Sequence, residues 1–144
     1  MEADMEELQS VERLVEKLPV CYLSSVDTDG FPATRAMLAP RVREGIKVFY
    51  FSTNTTSLHV QQLLENPKAC AYYCSEKYFE AVMFRGTVEV LDDQKHKDMV
   101  WREGDEYYYA GGATDPEYCV LRFTATSGRY YGNFVTTSFS LDEA

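Results

Sequence analysis

No stretch of the chain is apolar over the roughly 20 positions that a membrane-spanning helix needs, so a membrane partner is not expected. Cations are scarce: 14 Lys and Arg stand against 23 Asp and Glu, a formal net charge of −9. Polyanion affinity rests on clustered Lys and Arg, which disfavours nucleic acid and anionic membrane surfaces. A small anion stays open, given a local positive or N–H-rich pocket against the overall field. Cysteine and histidine are sparse as well. Cys21, Cys70, Cys74 and Cys119 are scattered without a C-x-x-C pair, and His59 and His96 are the two histidines. The ligand spacing of a zinc site is therefore missing, and no Ser/His/Asp arrangement is visible. The first seven residues are acidic and lack both a basic start and an apolar run. No secretory signal is expected, the expected location is cytoplasmic, and the thiols read as reduced.

What is present fits one globular domain over residues 1–144, with 45% hydrophobic and 26% charged residues. Aromatics reach 14%, with 11 Tyr and 8 Phe but one Trp. They favour strands and interfaces, and stacking on a planar ligand is a second use.

Leu8, Val11, Leu14, Val15 and Leu18 recur at helical spacing before Pro19, which predicts a helix over 6–18 within an N-terminal segment 1–18, packed as a lid. Strands are predicted over 20–25, 32–39 and 46–52. The first two are joined by the Asp27-Thr28-Asp29-Gly30 turn, and a second turn covers 40–45. A short helix is expected to end near Asn66-Pro67. Strands over 68–74 and 80–91 follow, with Gly86 marking a bulge or a close backbone approach. Asp92-Asp93 should cap a helix reaching about Trp101. A Tyr- and Gly-rich loop over 104–116 precedes a sixth strand at 118–125. Ser127-Gly128 reads as a turn into an extended 129–134 segment, and residues 135–144 as an acidic tail. Short antiparallel strands with helices only at crossings predict a mainly β fold: a six-stranded Greek-key split barrel with flanking helices.

Two segments carry possible chemistry. In Tyr50-Phe51-Ser52-Thr53-Asn54-Thr55-Thr56-Ser57-Leu58-His59, a buried strand opens into hydroxyls and a helix start. Free N–H groups, hydroxyls and a cation at His59 would make a phosphate cradle, although Ser and Thr also cap helices generally. Arg35 lies on the second strand, where it serves either bidentate phosphate contact or ordinary solvation.

In order and spacing, four pieces resemble the pyridoxamine 5′-phosphate oxidase-like, flavin mononucleotide (FMN)-binding split-barrel superfamily. They are Gly30-x-Pro32-x-x-Arg35-x-Met37, Phe51-Ser52-Thr53 with Ser57, Leu63-Leu64-Glu65-Asn66-Pro67, and the Phe84 to Asp92 run leading to the helix with Trp101. The resemblance covers about residues 5–131 and is nearer the small general-stress-protein branch than the vitamin B6 oxidase. It implies a homodimer with two FMN sites at the subunit interface, acting as a flavin-dependent oxidoreductase on an unidentified small molecule. An electron donor such as NADH or NADPH is compatible with it. Arg35 would reach the phosphate, with Ser57, Leu58 and His59 at the same end. Arg35-Ala36-Met37 and Phe51-Ser52-Thr53 would line the ribityl chain and the ring. The family commonly has lysine where this chain has His59, and the B6 oxidases a further lysine at Pro40, which implies a weaker grip on phosphate. Tyr107-Tyr108-Tyr109-Ala110-Gly111-Gly112 reads either as a hinged lid or as packing. Alternatives to an oxidoreductase are a non-catalytic flavin, deazaflavin or haem binding or sensing module, and a structural dimer that has lost its cofactor.

Overall fold

The computed structural model describes residues 1–141. Helix α1 (Met5–Lys17) begins at a reciprocal capping box, Asp4 accepting from the Glu7 N–H and Glu7 from the Asp4 N–H. Its Val11, Leu14 and Val15 stripe is buried on the barrel, as the spacing predicts. The strands are β1 (Val20–Val26), β2 (Pro32–Leu38), β3 (Val42–Glu44), β4 (Val48–Asn54), β5 (Lys68–Cys74), β6 (Ala81–Leu91), β7 (Tyr118–Gly132) and β8 (Val135–Ser140). Two further helices are α2 (Leu58–Glu65) and α3 (Gln94–Val100). Asp93 caps α3 by accepting from the His96 N–H, and two single 3-10 turns, Asp105–Tyr107 and Gly112–Thr114, follow it.

The ladders are all antiparallel, in the order β2-β1-β5-β6-β7-β4-β3 with β8 added on β7. This is the mainly β split barrel the sequence predicts, with eight strands rather than six. The difference has three local causes. The expected turn at 40–45 contains a short strand, β3, which folds back on β4 through Gly45 at φ 56°. Ser127-Gly128 is not a turn: β7 runs straight through it, because Gly128 lets the Phe139 ring lie against the backbone. A Cβ there would sit 2.3 Å from the ring. The chain reverses instead at Asn133 and Phe134, both at positive φ, and residues 135–140 of the expected tail become β8. That strand pairs with β7 and also with the N-terminus, the Ala3 N–H donating to the Ser138 carbonyl at 2.7 Å. Asp142, Glu143 and Ala144 lie outside the described residues.

Gly86 fulfils both expectations placed on it. The β6–β7 register shifts between Arg85 and Gly86, and a Cβ at Gly86 would lie 2.0 Å from the Thr124 carbonyl oxygen. The bulge lies in the long antiparallel β6–β7 pair, beside a core in which Phe49 stands 5.1 Å from Phe84 and 5.9 Å from Phe123, centroid to centroid. A second cluster of Tyr50, Val100, Tyr109, Tyr118 and Val120 lies under α3. Among the described residues no helix is long and apolar enough to cross a membrane.

Candidate functional site

The two ends of the sheet, β2 and β3–β4, share no ladder, and a cavity of about 370 Å³ lies between them. That volume falls within the usual range for small-molecule sites. Arg35, Ala36 and Met37 reach it from β2, Ser52 and Thr53 from β4, and Ser57 and His59 from the start of α2. Two expected site residues are placed differently. Phe51 points into the barrel core and is 2% exposed. Leu58 is 69% exposed on the outer side of α2.

The charges are unevenly matched. Arg35 is half-buried, its guanidinium has no hydrogen bond or ion pair among the described residues, and burial pulls its pKa down. Arg41 also lines the cavity, but it is held by Asp105 through both terminal guanidinium nitrogens, Nη2 lying 2.7 Å from Oδ1. The Arg41 guanidinium in turn holds the buried Asp105 carboxyl below its usual range. No carboxylate lines the cavity among the described residues. Arg35 is thus its unneutralised cation.

His59 is 5% exposed, and its Nε2 lies 2.7 Å from Thr53 Oγ1. Burial, followed by the nearby Arg35 charge, lowers its pKa to about 4. It is uncharged near neutrality, so the cation that the sequence suggested at this position is absent there. Ser57 opens α2 without capping it: its hydroxyl donates to the Asn54 carbonyl at 2.8 Å.

The Tyr-rich loop divides. Tyr107 and Tyr108 are 87% and 66% exposed and pack edge-on against each other. Tyr109 is buried, lines the cavity and donates to Asn54 Oδ1 at 2.8 Å. Trp101 packs edge-on against Tyr118 at 5.3 Å rather than lining the cavity. Sequence reasoning missed Arg41, whose partner lies 64 residues away, and left Tyr109 undistinguished within its run. His96 is bound to Asp93 through Nδ1 at 2.7 Å. The four thiols are free, and burial pushes Cys21 up to about 11.

Comparison with known proteins agrees with the fold. A solved structure from Clostridium acetobutylicum, described as related to general stress protein 26 of B. subtilis and of the pyridoxinephosphate oxidase family, shares 35% identity with a TM-score of 0.88. The match covers 97% of this chain and 98% of that one. General stress protein 26 from Bacillus anthracis matches with a TM-score of 0.73 at 17% identity, over 88% and 94% of the two chains. A heme binding protein from Mycobacterium smegmatis matches with a TM-score of 0.76 at 13% identity, over 96% of this chain and 59% of that one. These last two likenesses speak to the fold. None of the curated proteins matches the chain in sequence. The family model described as pyridoxamine 5′-phosphate oxidase matches residues 8–132, from the α1 stripe to the end of β7, and the chain belongs to that family.

Proposed function

We propose that the chain is a homodimeric, FMN-dependent oxidoreductase of the general-stress type, acting on a small molecule. The observation that carries this reading is Arg35, a partly desolvated guanidinium that, among the described residues, is unpaired in a cavity edged by hydroxyls and free of carboxylates. Such a group favours a phosphate, through charge-assisted hydrogen bonds.

The cavity residues fit FMN in kind. Arg35 would hold the phosphate, with the Thr53 hydroxyl and the Ser57 side chain beside it. Met37, Ala36 and Ser52 would flank the rest of the molecule. The Arg41–Asp105 clamp closes one wall by tying the β2–β3 connection to the first 3-10 turn, and Tyr109 closes another through Asn54. When bound, FMN supplies hydride or electron transfer, and the chain supplies binding, orientation and exclusion of water. Among the described residues no His/Cys/Asp/Glu group of three or more is placed to hold a metal. The imidazole at the cavity has its Nε2 engaged by Thr53, which favours flavin over haem here.

The dimer is supported by the outer face of β2–β1–β5, where Leu38, Val20, Tyr22 and Tyr72 are 67%, 36%, 43% and 41% exposed. Val20 stands opposite Leu38, and Tyr22 opposite Tyr72, so they form one apolar surface of the kind that marks an association site.

The test is to titrate the purified chain with FMN and with riboflavin, then to add NADH or NADPH anaerobically. FMN binding tighter than riboflavin, followed by bleaching of the flavin band, is the expected result. Equal affinity for both flavins would remove the phosphate site. Binding without reduction by either nicotinamide would favour a flavin-storing or sensing module.

A further inference from the structure

We infer that His59 is a positioning residue: its ring donates from Nε2–H to Thr53 Oγ1 and so directs the Thr53 hydroxyl proton to the anionic group of the ligand. The inference deepens the FMN reading and rests on it for the ligand.

The geometry fixes which nitrogen carries the proton. Thr53 Oγ1 and His59 Nε2 are 2.7 Å apart, in residues 8% and 5% exposed. Ser57 Oγ lies 3.4 Å from the same nitrogen, but its proton is already given to the Asn54 carbonyl. On the other side of the ring, Nδ1 is buried with no partner among the described residues. A proton on Nδ1 would be a buried donor without an acceptor, a rare arrangement in folded proteins. A proton on Nε2 leaves only an unused lone pair at Nδ1. Thr53 Oγ1 then accepts from the ring, and its own proton has no acceptor among the described residues. Thr53 lines the cavity, so that proton is available to a ligand.

The groups facing the ring keep it uncharged. Arg35 approaches from β2 as an unpaired cation, Arg41 is neutralised by Asp105, and the Tyr109 hydroxyl is committed to Asn54. No carboxylate lines the cavity among the described residues, so nothing there stabilises an imidazolium. The site therefore offers one cation and an oriented hydroxyl. Its affinity for FMN should be flat from pH 8 to about 6.5 and fall below ~6, where the phosphate takes up its own proton. An imidazolium contact would give the opposite slope.

Two measurements on the full chain test this. Long-range ¹H–¹⁵N NMR of ¹⁵N-histidine-labelled, ligand-free protein should show His59 as the neutral Nε2–H tautomer throughout pH 8 to 6. An Nδ1–H tautomer, or an imidazolium in that range, overturns the inference. FMN titrations should then show Thr53→Val and His59→Phe each weakening binding about tenfold. The double variant should be no weaker than either alone, because both remove one donor. His59→Gln, whose amide N–H can replace Nε2–H, should stay within about threefold of wild type. Additive losses, or His59→Gln falling as far as His59→Phe, overturn the positioning role. Failure of wild type to bind FMN overturns the ligand reading, and the tautomer, read without ligand, still decides the role of His59.

Discussion

A partly desolvated guanidinium with no counter-ion among the described residues contributes little to folding, so Arg35 is the side chain whose removal best separates binding from stability. Arg35→Ala should weaken FMN binding ten- to a hundred-fold, from the loss of a charge-assisted hydrogen bond of about 1.5–3 kcal/mol, while riboflavin affinity and thermal midpoint stay near wild type. Parallel losses for both flavins would mean that Arg35 does not meet the phosphate. His59 acts on stability. The unfolded chain takes up this proton near ~6.5, and the folded chain refuses it until about 4. The unfolded state therefore binds more protons across that window, and stability falls as pH drops through it. Relative to His59→Gln, wild type should lose roughly 1–2 kcal/mol more between pH 7 and pH 5. Urea unfolding of both proteins at the two pH values measures that difference, and identical slopes would show that His59 protonates freely when folded.

Among the elements, the antiparallel β6–β7 pair is the longest in the barrel, and its bulge depends on one missing Cβ. Gly86→Ala places a methyl 2.0 Å from the backbone oxygen of Thr124, where no side chain can give way. The expected cost is about 3 kcal/mol or more, at the upper end of overpacking effects, with loss of the ladder on one side of the bulge. Gly30→Ala is the control. Its φ of +87° disfavours a side chain, but nothing lies within 4 Å of the new Cβ, so the penalty is conformational, about 1–2 kcal/mol. Calorimetry of the pair should rank them in that order. Both glycines stand out in the sequence, one in an Asp-Gly turn and one inside a strand pattern. That Gly128 belongs to a strand was not legible, because the ring that needs the space comes from Phe139, on a strand formed only later in the chain.

For the whole molecule, the apolar outer face of β2–β1–β5 predicts self-association. Sedimentation of the chain at micromolar concentration should give a dimer. Tyr22→Glu combined with Tyr72→Glu should give a folded monomer with weakened FMN binding, as an interfacial site requires. A dimer that survives the double substitution would place the interface elsewhere.

Local pattern by itself determined the α1 stripe, the Asp-Gly hairpin, most strand positions and the bulge at Gly86, because each depends on a few neighbouring residues. It also brought out Arg35, Thr53, Ser57 and His59, which lie on short segments with readable turn and cap signals. Tertiary structure decided what those residues meet. Val135 to Ser140 carries few apolar side chains and becomes a strand only because β7 offers an open edge beside it. Arg41 is neutralised by an aspartate 64 positions away, which no local spacing reveals. In sequence His59 is a histidine that could carry a charge, and only folding, by burying it near the Arg35 charge, lowers its pKa to about 4. Burial and long-range pairing set the electrostatics of the cavity, and both exist only once the two ends of the sheet have been brought together.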